Sequence, residues 1–224
     1  MSLTIAIDGP VGAGKSSVAD AVAARLGILH LDTGAMYRAL GLKALREGTD
    51  VQDEAAVVEL CRKLDLDVAY GEKGQITLLD GEDVSLKIRT QEVSMAASTV
   101  SRYAGVRKMM VGRQQRLAAA HDMLVDGRDI CTTVLPDAQV KIYLTASSEE
   151  RAMRRWKEMK EKGLPDSYED VLKQVVDRDR QDMNREVEPL RQAEDAVLLD
   201  STNLSFDQVV ERILELVEAN GNGR

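Results

Sequence analysis

The sequence has few aromatic residues and no excess of positive charge. Aromatic side chains make up only 3% of the 224 residues, too few for the stacking platforms on which single-stranded nucleic acids bind. The formal net charge of −8 argues against broad binding to nucleic acids or to acidic membrane surfaces. We therefore expect neither a nucleic-acid partner nor a membrane partner.

Cysteine, histidine and long apolar runs are also scarce. Two cysteines, Cys61 and Cys131, cannot form a disulfide framework, and with His30 and His121 they are too scattered to indicate a zinc site. We assign neither histidine a catalytic role and place His30 in a strand. No apolar run approaches the roughly 20 residues of a membrane span, and no basic segment typical of a signal peptide opens the chain. These absences predict a cytoplasmic protein with both thiols reduced.

The residues that are present have the composition and pattern of a folded α/β domain. Apolar residues make up 44% and charged residues 30% of the chain, as in ordinary globular proteins. The first elements alternate strand, helix, strand, helix, which predicts a parallel sheet flanked by helices. The predicted strands are 3–7, 28–31, 123–125, 140–144 and 196–199, and the predicted helices are 15–26, 34–46, 53–64, two within 89–120 with a break near 103–105, 147–162, 168–186 and 205–219.

A different pattern interrupts the chain between residues 50 and 95. Two short stretches of alternating apolar residues surround Gly71 and Gly74, which predicts a β-hairpin. We therefore predict a single domain whose core comprises residues 1–49 and 96–224, with a small insert at about 50–95.

A glycine-rich loop follows the first predicted strand. It fits the pattern G-x-x-x-x-G-K-[ST] between a strand and a helix, which is typical of the phosphate-binding loop (P-loop). Glycines let backbone N–H groups surround a phosphate, and the helix N-terminus adds free donors. Lys15, which we expect at the surface of the loop, would bind the β- and γ-phosphates of ATP, and the Ser16 hydroxyl would bind Mg²⁺. The predicted ATP-binding residues are Gly9, Pro10, Val11, Gly12, Ala13, Gly14, Lys15, Ser16 and Ser17.

The P-loop alone does not distinguish a GTPase, an ATPase and a kinase. A GTPase needs a guanine-reading N-K-x-D or T-K-x-D element, and neither Asn-Lys nor Thr-Lys occurs in the chain. The chain is also small for a motor ATPase. A small kinase of the P-loop NTPase type is the class that survives.

A kinase must hold an acceptor opposite its nucleotide, and two further strand ends carry suitable residues. Asp32 and Thr33 follow the second strand, where they can simply cap the next helix, and Arg38 lies one turn later. Asp126 and Arg128 follow a buried strand, where the carboxylate could serve a metal and the arginine an anion. A solvated helix residue at Arg38 and a local ion pair in the second loop are the alternatives.

Two predicted helices carry charged residues at informative spacings. The apolar stripe that begins at Val171 and Val175 continues as Arg178, Asp182 and Arg185, which indicates a polar cleft unless the helix end simply meets water.

In the helix before it, Arg151, Arg154 and Arg155 share one face. They indicate either a solvated helix or a helical lid, at about 147–165, that closes over the triphosphate. Arg151 and Arg155 would then neutralise charge in the transition state together with Lys15. These three residues and Asp126, which would serve the metal, are the predicted catalytic residues.

Over essentially its full length the chain resembles the bacterial cytidylate kinases. Generic adenylate and thymidylate kinases lack this combination of motifs. The segments that carry the resemblance are Ile7-Asp8-Gly9-Pro10, Asp32-Thr33-Gly34-Ala35-Met36-Tyr37-Arg38, Ile88-Arg89-Thr90-Gln91-Glu92-Val93, Val125-Asp126-Gly127-Arg128-Asp129, Ser147-Ser148-Glu149-Glu150-Arg151-Ala152, Asp177-Arg178-Asp179-Arg180 and Asn184-Arg185.

The resemblance implies roles for the acceptor-site residues. It implies that Arg38, Arg128 and Arg185 bind the CMP phosphate near Thr33 and Tyr37. Ser98, Arg107 and Asp129 would read cytosine, and Arg178 and Asp182 would hold the sugar. One departure concerns Ser16-Ser17, where many family members carry Gly-Thr, so that the Mg²⁺ hydroxyl is ambiguous between the two and we favour Ser16.

The resemblance implies a kinase that transfers the γ-phosphate of ATP to CMP or dCMP and needs Mg²⁺. A P-loop kinase for another small acceptor, such as UMP, AMP or shikimate, is the first alternative. A non-catalytic nucleotide-binding module is the second, although the P-loop lysine and the acceptor-site arginines that such a module would lose are present. The acidic sequence shows no obvious dimer patch, and we expect a monomer.

Overall fold

The computed structural model describes residues 2–72, 74–161, 163 and 166–221, which form one parallel and one antiparallel sheet with helices around them. The strands are β1 Thr4–Asp8, β2 Leu29–Asp32, β3 Leu66–Gly71, β4 Gly74–Leu79, β5 Glu82–Asp83, β6 Met123–Gly127, β7 Val140–Thr145 and β8 Val197–Asp200. The α-helices are α1 Lys15–Leu26, α2 Thr33–Glu47, α3 Glu54–Arg62, α4 Gln91–Val100, α5 Ala104–Ala120, α6 Ser148–Glu161, α7 Tyr168–Asn184 and α8 Phe206–Gly221.

The larger sheet has five strands in the order β2-β6-β1-β7-β8, and every neighbouring pair is parallel. Ile7 of β1 and Asp32 of β2 both lie opposite Asp126 of β6 in the strand register. Because parallel strands end at one edge, the P-loop, the start of α2 and the loop after β6 meet there. The predicted parallel α/β sheet is confirmed.

Helices cover both faces of this sheet, and strand alternation divides the core between them. Ala6 and Val125 point to the face covered by α2 and α5, and pack in one cluster with Leu40 and Met110. Ile5 and Ile7 point to the other face, in a second cluster that α1 and α8 complete. Strands β1 and β6 are therefore buried on both faces. This explains why their sequences are near-continuous apolar runs and do not alternate between apolar and polar residues.

The insert contains α3 and the antiparallel sheet β3-β4-β5. The predicted hairpin is confirmed, with Gly71 paired to Gly74. On β4 the buried residues are Thr77 and Leu79, while the alternating Ile76 and Leu78 are only half-buried. The buried residues of the insert join the cluster around α2 and α5, so the insert shares the core of the domain.

The sequence pattern does not predict the π-helix at Ile130–Val134, directly after β6. The Asp8 carboxylate accepts hydrogen bonds from the backbone N–H of Ile130 and of Cys131, each at 2.8 Å. Asp8 is completely buried, and that burial raises the pKa of its carboxyl to about 6 although both N–H groups oppose the rise. A strand-end carboxylate therefore shapes the loop that follows another strand.

Two predicted segments reach beyond the described residues. Helix α6, the predicted lid, is described to Glu161, while residues 162, 164 and 165 of the predicted lid lie outside the described residues, as do residues 222–224 of the tail. Helix α7 ends at Asn184 rather than at the predicted 186.

The buried thiols give a testable prediction. Cys61 and Cys131 are both free and buried, and burial raises the pKa of the Cys61 thiol to about 11 and that of Cys131 further. Because the thiolate is the reactive form, we expect the folded protein to react with a thiol reagent such as DTNB at pH 8 at least about 100-fold more slowly than the unfolded chain. Fast reaction of one thiol in the folded protein would contradict this packing.

Candidate active site

The P-loop lies between β1 and α1 and is held in shape by its glycines. Gly14 precedes α1 with φ of 82°, in the left-handed region that favours glycine. Gly9 has φ of 153°, and a Cβ built on it would lie 1.9 Å from the carbonyl oxygen of Leu144. Only glycine fits at this close approach to β7, and the loop therefore turns directly over the carboxyl edge of the sheet.

The sequence analysis places Lys15 at the surface of the loop, and that expectation is wrong. The structure buries Lys15 beneath the loop. Its Nζ donates to the carbonyl oxygens of Gly9 and Pro10, each at 2.8 Å. Burial, with the charge of Arg128, lowers the pKa of Lys15 to about 7, against the pull of Asp126. The loop thus holds its cation internally, where a bound polyphosphate would offer the ammonium group stronger acceptors.

Asp126 lies at the end of β6 and faces the first turn of α1. Its Oδ2 accepts from the Ser16 hydroxyl at 3.0 Å, and its backbone oxygen accepts from the Thr33 hydroxyl at 2.8 Å. Ser16 and Asp126 offer the hydroxyl and carboxylate oxygens that Mg²⁺ prefers. Among the described residues no group of three or more histidine, cysteine, aspartate or glutamate side chains could hold a metal ion. The pair thus fits a cation whose other ligands are phosphate oxygens and water.

His30, for which the sequence predicts no catalytic role, contacts the same carboxylate. Its Nε2 lies 2.8 Å from Oδ1 of Asp126, and its Nδ1 lies 2.6 Å from Oδ1 of Asp20 on α1. Burial alone would lower the pKa of His30, but the hydrogen bonds from Asp126 and Asp20 outweigh it and raise the pKa to about 10. The imidazole is therefore charged at neutral pH.

On the acceptor side, Asp182 of α7 lies between two arginines. Its Oδ2 accepts from Nε of Arg128 at 2.9 Å, and its Oδ1 accepts from Nε of Arg178 at 3.2 Å. Burial alone would raise the pKa of Asp182, but Arg128 and Arg178 hold it below its usual value. The predicted inward stripe is confirmed for Val171, Val175 and Asp182, which are buried. Arg128 and Asp182 both lie close enough to Lys15 to affect its pKa.

A second cluster surrounds Asp129. Arg107, only 1% exposed, donates from Nη2 to Asp129, from Nε to Glu188 and from Nη1 to the Ser101 carbonyl at 3.2 Å. Arg185 donates to the other Asp129 oxygen at 3.2 Å. A carboxylate has about four acceptor positions and a guanidinium five donors. Asp129 and Arg107 therefore keep free hydrogen-bonding capacity.

Arg185 reaches this cluster because the chain turns after α7. Helix α7 ends at Asn184, and Arg185 is extended. Glu188 then takes a left-handed φ of 50°, and its backbone oxygen accepts from Nε of Arg185 at 2.6 Å. Arg185 is therefore positioned by the segment after the helix, rather than by the helical face that its spacing predicts.

The remaining predicted acceptor residues lie on α2 and α4. Arg38 forms an ion pair with Asp32 at 2.6 Å, and Asp32 also caps α2. Within the described part of the chain, the buried Nε of Arg38 and the buried hydroxyl of Tyr37 have no hydrogen-bond partner. Ser98 on α4 donates to Gln181 of α7 at 3.1 Å. Unsatisfied buried polar atoms are costly, so the α2 side has capacity for a polar ligand.

The arginines of α6 do not act as one group. Arg151 is buried, donates to the Val11 carbonyl of the P-loop at 2.9 Å and forms an ion pair with Asp179 of α7 at 2.6 Å. Arg154 instead contacts the end of β8 through Ser201. Arg155 is half-buried. Long side chains on one helical face can thus extend in different directions.

The Arg151–Asp179 pair gives a prediction on stability. Both side chains are largely buried, and removing one partner of a buried pair leaves the other charge without compensation. We expect Arg151→Ala to lower the free energy of unfolding by about 3 kcal/mol, measured by chemical denaturation. The control is Arg154→Ala, whose more exposed side chain pairs with Glu150 and should cost about 1 kcal/mol or less. Equal losses in the two variants would contradict a structural role for the buried pair.

Four residues that contact the P-loop or predicted site residues are not among the residues predicted from the sequence. Local signals exist for two of them: Asp179 continues the Val171–Val175 spacing of four, and Asp8 stands at a strand end next to the P-loop. His30 and Glu188 carry no local signal, because each acts through contacts far along the chain.

Comparison with known proteins places these residues in a family. A family model described as cytidylate kinase matches residues 5–219. The cytidylate kinase of Bacillus velezensis is 50% identical over 216 residues, which cover 96% of this chain and 96% of that protein. The cytidylate kinase of Caldicellulosiruptor bescii is 49% identical over 214 residues, or 96% and 95% of the two chains.

Solved structures agree on the fold. An uncharacterized protein from Eubacterium ventriosum superimposes with a TM-score of 0.53 at 11% identity, covering 97% of this chain and 99% of its own. Shikimate kinase from Bacteroides thetaiotaomicron gives 0.50 at 14% identity, covering 96% and 98%. Identities this low support the fold alone.

Helices of the described residues lack the combination of length and apolarity that crossing a membrane requires.

The family model covers most of the sequence, and relatives about half identical to this chain match over nearly its whole length. The chain belongs to the cytidylate kinase family.

Proposed function

We propose that the protein transfers the γ-phosphoryl group of ATP to CMP or dCMP, giving ADP and CDP or dCDP, with Mg²⁺. The observation that carries the proposal is the pair of buried arginine–carboxylate clusters, around Asp129 and Asp182, beside the P-loop of a chain that belongs to this family. A phosphate acceptor with a polar base needs such groups at the edge of the sheet where the loop ends.

The donor site is the P-loop, residues Gly9 to Ser17. Free N–H groups at the start of α1 would bind the phosphates of ATP, and Lys15 would leave the carbonyls of Gly9 and Pro10 for the phosphate oxygens. Ser16 and Asp126 would hold the cation, directly or through water. When bound, Mg²⁺ neutralises charge on the transferred phosphoryl group.

The acceptor phosphate would lie among Arg38, Arg128 and Arg185, close to Thr33. Arg38 and Arg128 already contact carboxylates, Asp32 and Asp182, which hold the guanidinium groups in place without exhausting their donors. The Thr33 hydroxyl is bonded to the backbone of Asp126, so we propose that it supports the loop from the donor side. Arg178 and Asp182 would contact the sugar, in agreement with their position on the inner face of α7.

Cytosine would be read by Asp129 and Arg107, with Ser98 on α4. The carboxylate accepts from the exocyclic amine of the base, and the guanidinium donates to N3 or O2. Arg107 is held at three points, so it meets the base with little loss of side-chain freedom. The Tyr37 ring lies 5.7 Å from the Arg107 guanidinium and closes one side of this site.

Phosphoryl transfer needs positioning and charge neutralisation more than proton transfer. Lys15 would neutralise the β- and γ-phosphates. Arg151 contacts the P-loop and Asp179, so we propose that it shapes the loop, and that the half-buried Arg155 is free to reach the transferred group when α6 closes. Lys15 and Arg155 would act on charge that develops in the transition state.

A coupled assay of ADP release across CMP, dCMP, UMP, AMP and shikimate tests the proposal. We expect the highest kcat/KM with CMP and dCMP. A higher kcat/KM with UMP, AMP or shikimate would identify a kinase for another acceptor, and no turnover with any of the five would favour a non-catalytic nucleotide-binding module.

We also propose that the protein is cytoplasmic and monomeric. For the monomer we expect the purified protein to sediment with a mass near 24.6 kDa.

A further inference from the structure

A chain of hydrogen bonds runs from the surface of α1 to the predicted cation site. Asp20 contacts Nδ1 of His30 at 2.6 Å, Nε2 of His30 contacts Asp126 at 2.8 Å, and the other Asp126 oxygen accepts from Ser16 at 3.0 Å. Ser16 and Asp20 lie on α1, His30 on β2 and Asp126 on β6. Three separate elements therefore converge on one carboxylate.

The hydrogen-bond partners of His30 indicate which of its ring nitrogens carry a hydrogen atom. Both ring nitrogens face carboxylate oxygens, which accept and do not donate when ionised. Each ring nitrogen therefore donates, and the ring cannot rotate without losing a hydrogen bond. His30 and Asp126 are both nearly fully buried, while Asp20 is largely exposed. An exposed carboxylate thus holds a buried ring, and the ring holds a buried carboxylate.

The two oxygens of Asp126 have different tasks in this arrangement. Oδ1 accepts from His30, whereas Oδ2 accepts from the Ser16 hydroxyl and keeps a second lone pair that a cation can use. A cavity of about 60 Å³, lined by residues that include Ser16, Asp20, His30 and Asp32, lies beside this chain of contacts. Without the imidazole, the Asp126 carboxylate would have polar space into which to turn.

We infer that Asp20 and His30 are positioning residues that aim the Ser16-facing oxygen of Asp126, Oδ2, at the divalent cation bound with the nucleotide. The inference rests on the proposed donor site. Residues that orient a metal-binding carboxylate affect metal affinity although they never touch the metal. If His30 only joined β2 to β6, its replacement would leave metal binding unchanged in any variant that folds.

Variants at position 30 separate these two roles. The side-chain nitrogen of Gln in His30→Gln can reach the place of Nε2 and still donate to Asp126, whereas that of Asn in His30→Asn reaches only the place of Nδ1. We expect His30→Asn to raise the Mg²⁺ concentration for half-maximal turnover by about tenfold, with the KM for CMP unchanged, and His30→Gln to restore most of the difference. Asp20→Asn should give a smaller rise of the same sign. His121→Asn, at an exposed histidine after α5, is the matched control and should change nothing.

Calorimetry with ADP supplies a readout that needs neither CMP nor turnover. The affinity for ADP is measured with Mg²⁺ and again with EDTA, and the ratio of the two reports the cation site. In His30→Asn we expect this ratio to fall by about tenfold while the affinity in EDTA stays the same.

An unchanged ratio in a folded His30→Asn variant would overturn the inference. If His30→Asn does not fold, the folded Asp20→Asn and His30→Gln variants decide, and a ratio equal to wild type in Asp20→Asn would overturn it. Failure of the proposed function is a different result, in which wild type binds ADP with Mg²⁺ but phosphorylates neither CMP nor dCMP.

Discussion

Replacing Lys15 by Ala is expected to lower kcat by at least about 10²–10³-fold, the loss typical of removing one preorganised group that stabilises transition-state charge. Lys15 is the cation of the P-loop, and its Nζ lies between the carbonyls of Gly9 and Pro10, at the place where the loop closes. The measurement is steady-state turnover with saturating Mg²⁺-ATP and CMP.

Because Lys15 is buried, its removal also frees two loop carbonyls, and the variant must be shown to fold. Lys15→Met retains most of the apolar stem of the side chain and should lose activity to the same degree with less effect on stability. Lys108→Ala, at an exposed position of α5, is the control and should retain wild-type turnover. A folded Lys15 variant with near wild-type turnover would show that the donor site is not the P-loop.

The donor side of the site was largely predictable from the sequence, because its signals are local. Helix α1 has the predicted bounds, Lys15–Leu26, since Gly14 precedes it and Gly27 ends it, both in the left-handed region. The same holds for Asp126, which comes directly after the apolar run Met123-Leu124-Val125 and lies near the end of β6. Glycine punctuation and strand ends are properties of a few neighbouring residues, and they are visible without the rest of the chain.

The acceptor side depends on contacts that no local pattern contains. Arg107 and Glu188 are separated by 81 positions, and Glu188 reaches Arg107 because its backbone adopts a left-handed φ that nothing in its own side chain indicates. The π-helix after β6 depends on Asp8, more than a hundred positions earlier. His30 is similar: only its partners, Asp20 and Asp126, distinguish it from an ordinary strand residue.

The arginines proposed to bind the acceptor phosphate should contribute to affinity without contributing to base choice. Arg38 pairs with Asp32 at the start of α2 and is not bonded to Asp129 or Arg107. A phosphate contact carries no information about the base. Arg38→Ala should therefore lower kcat/KM for CMP and for UMP by about the same factor, and it serves as the control for the base-reading variant.

Replacing Asp129 by Ala should reduce the preference for CMP over UMP by roughly one to two powers of ten in kcat/KM, at about 1.4 kcal/mol for each. Cytosine presents an amine to the carboxylate, whereas uracil presents an oxygen, an acceptor facing an acceptor. An unpaired buried polar group costs about 1–3 kcal/mol, which sets the size of the effect. Most of the loss should fall on CMP. The measurement is kcat/KM for both acceptors at saturating Mg²⁺-ATP.

Asp129 also holds Arg107 and Arg185, so its truncation could disturb the site without any change in base reading. Asp129→Asn separates the two effects, because the amide keeps the size of the side chain and one acceptor oxygen but adds an N–H₂ group that can donate to the uracil oxygen. The CMP/UMP ratio should fall at least as far in Asp129→Asn as in Asp129→Ala, with a smaller loss for UMP. A wild-type ratio in both Asp129 variants, alongside lower activity with either acceptor, would show that Asp129 supports Arg107 and Arg185 and does not contact the base.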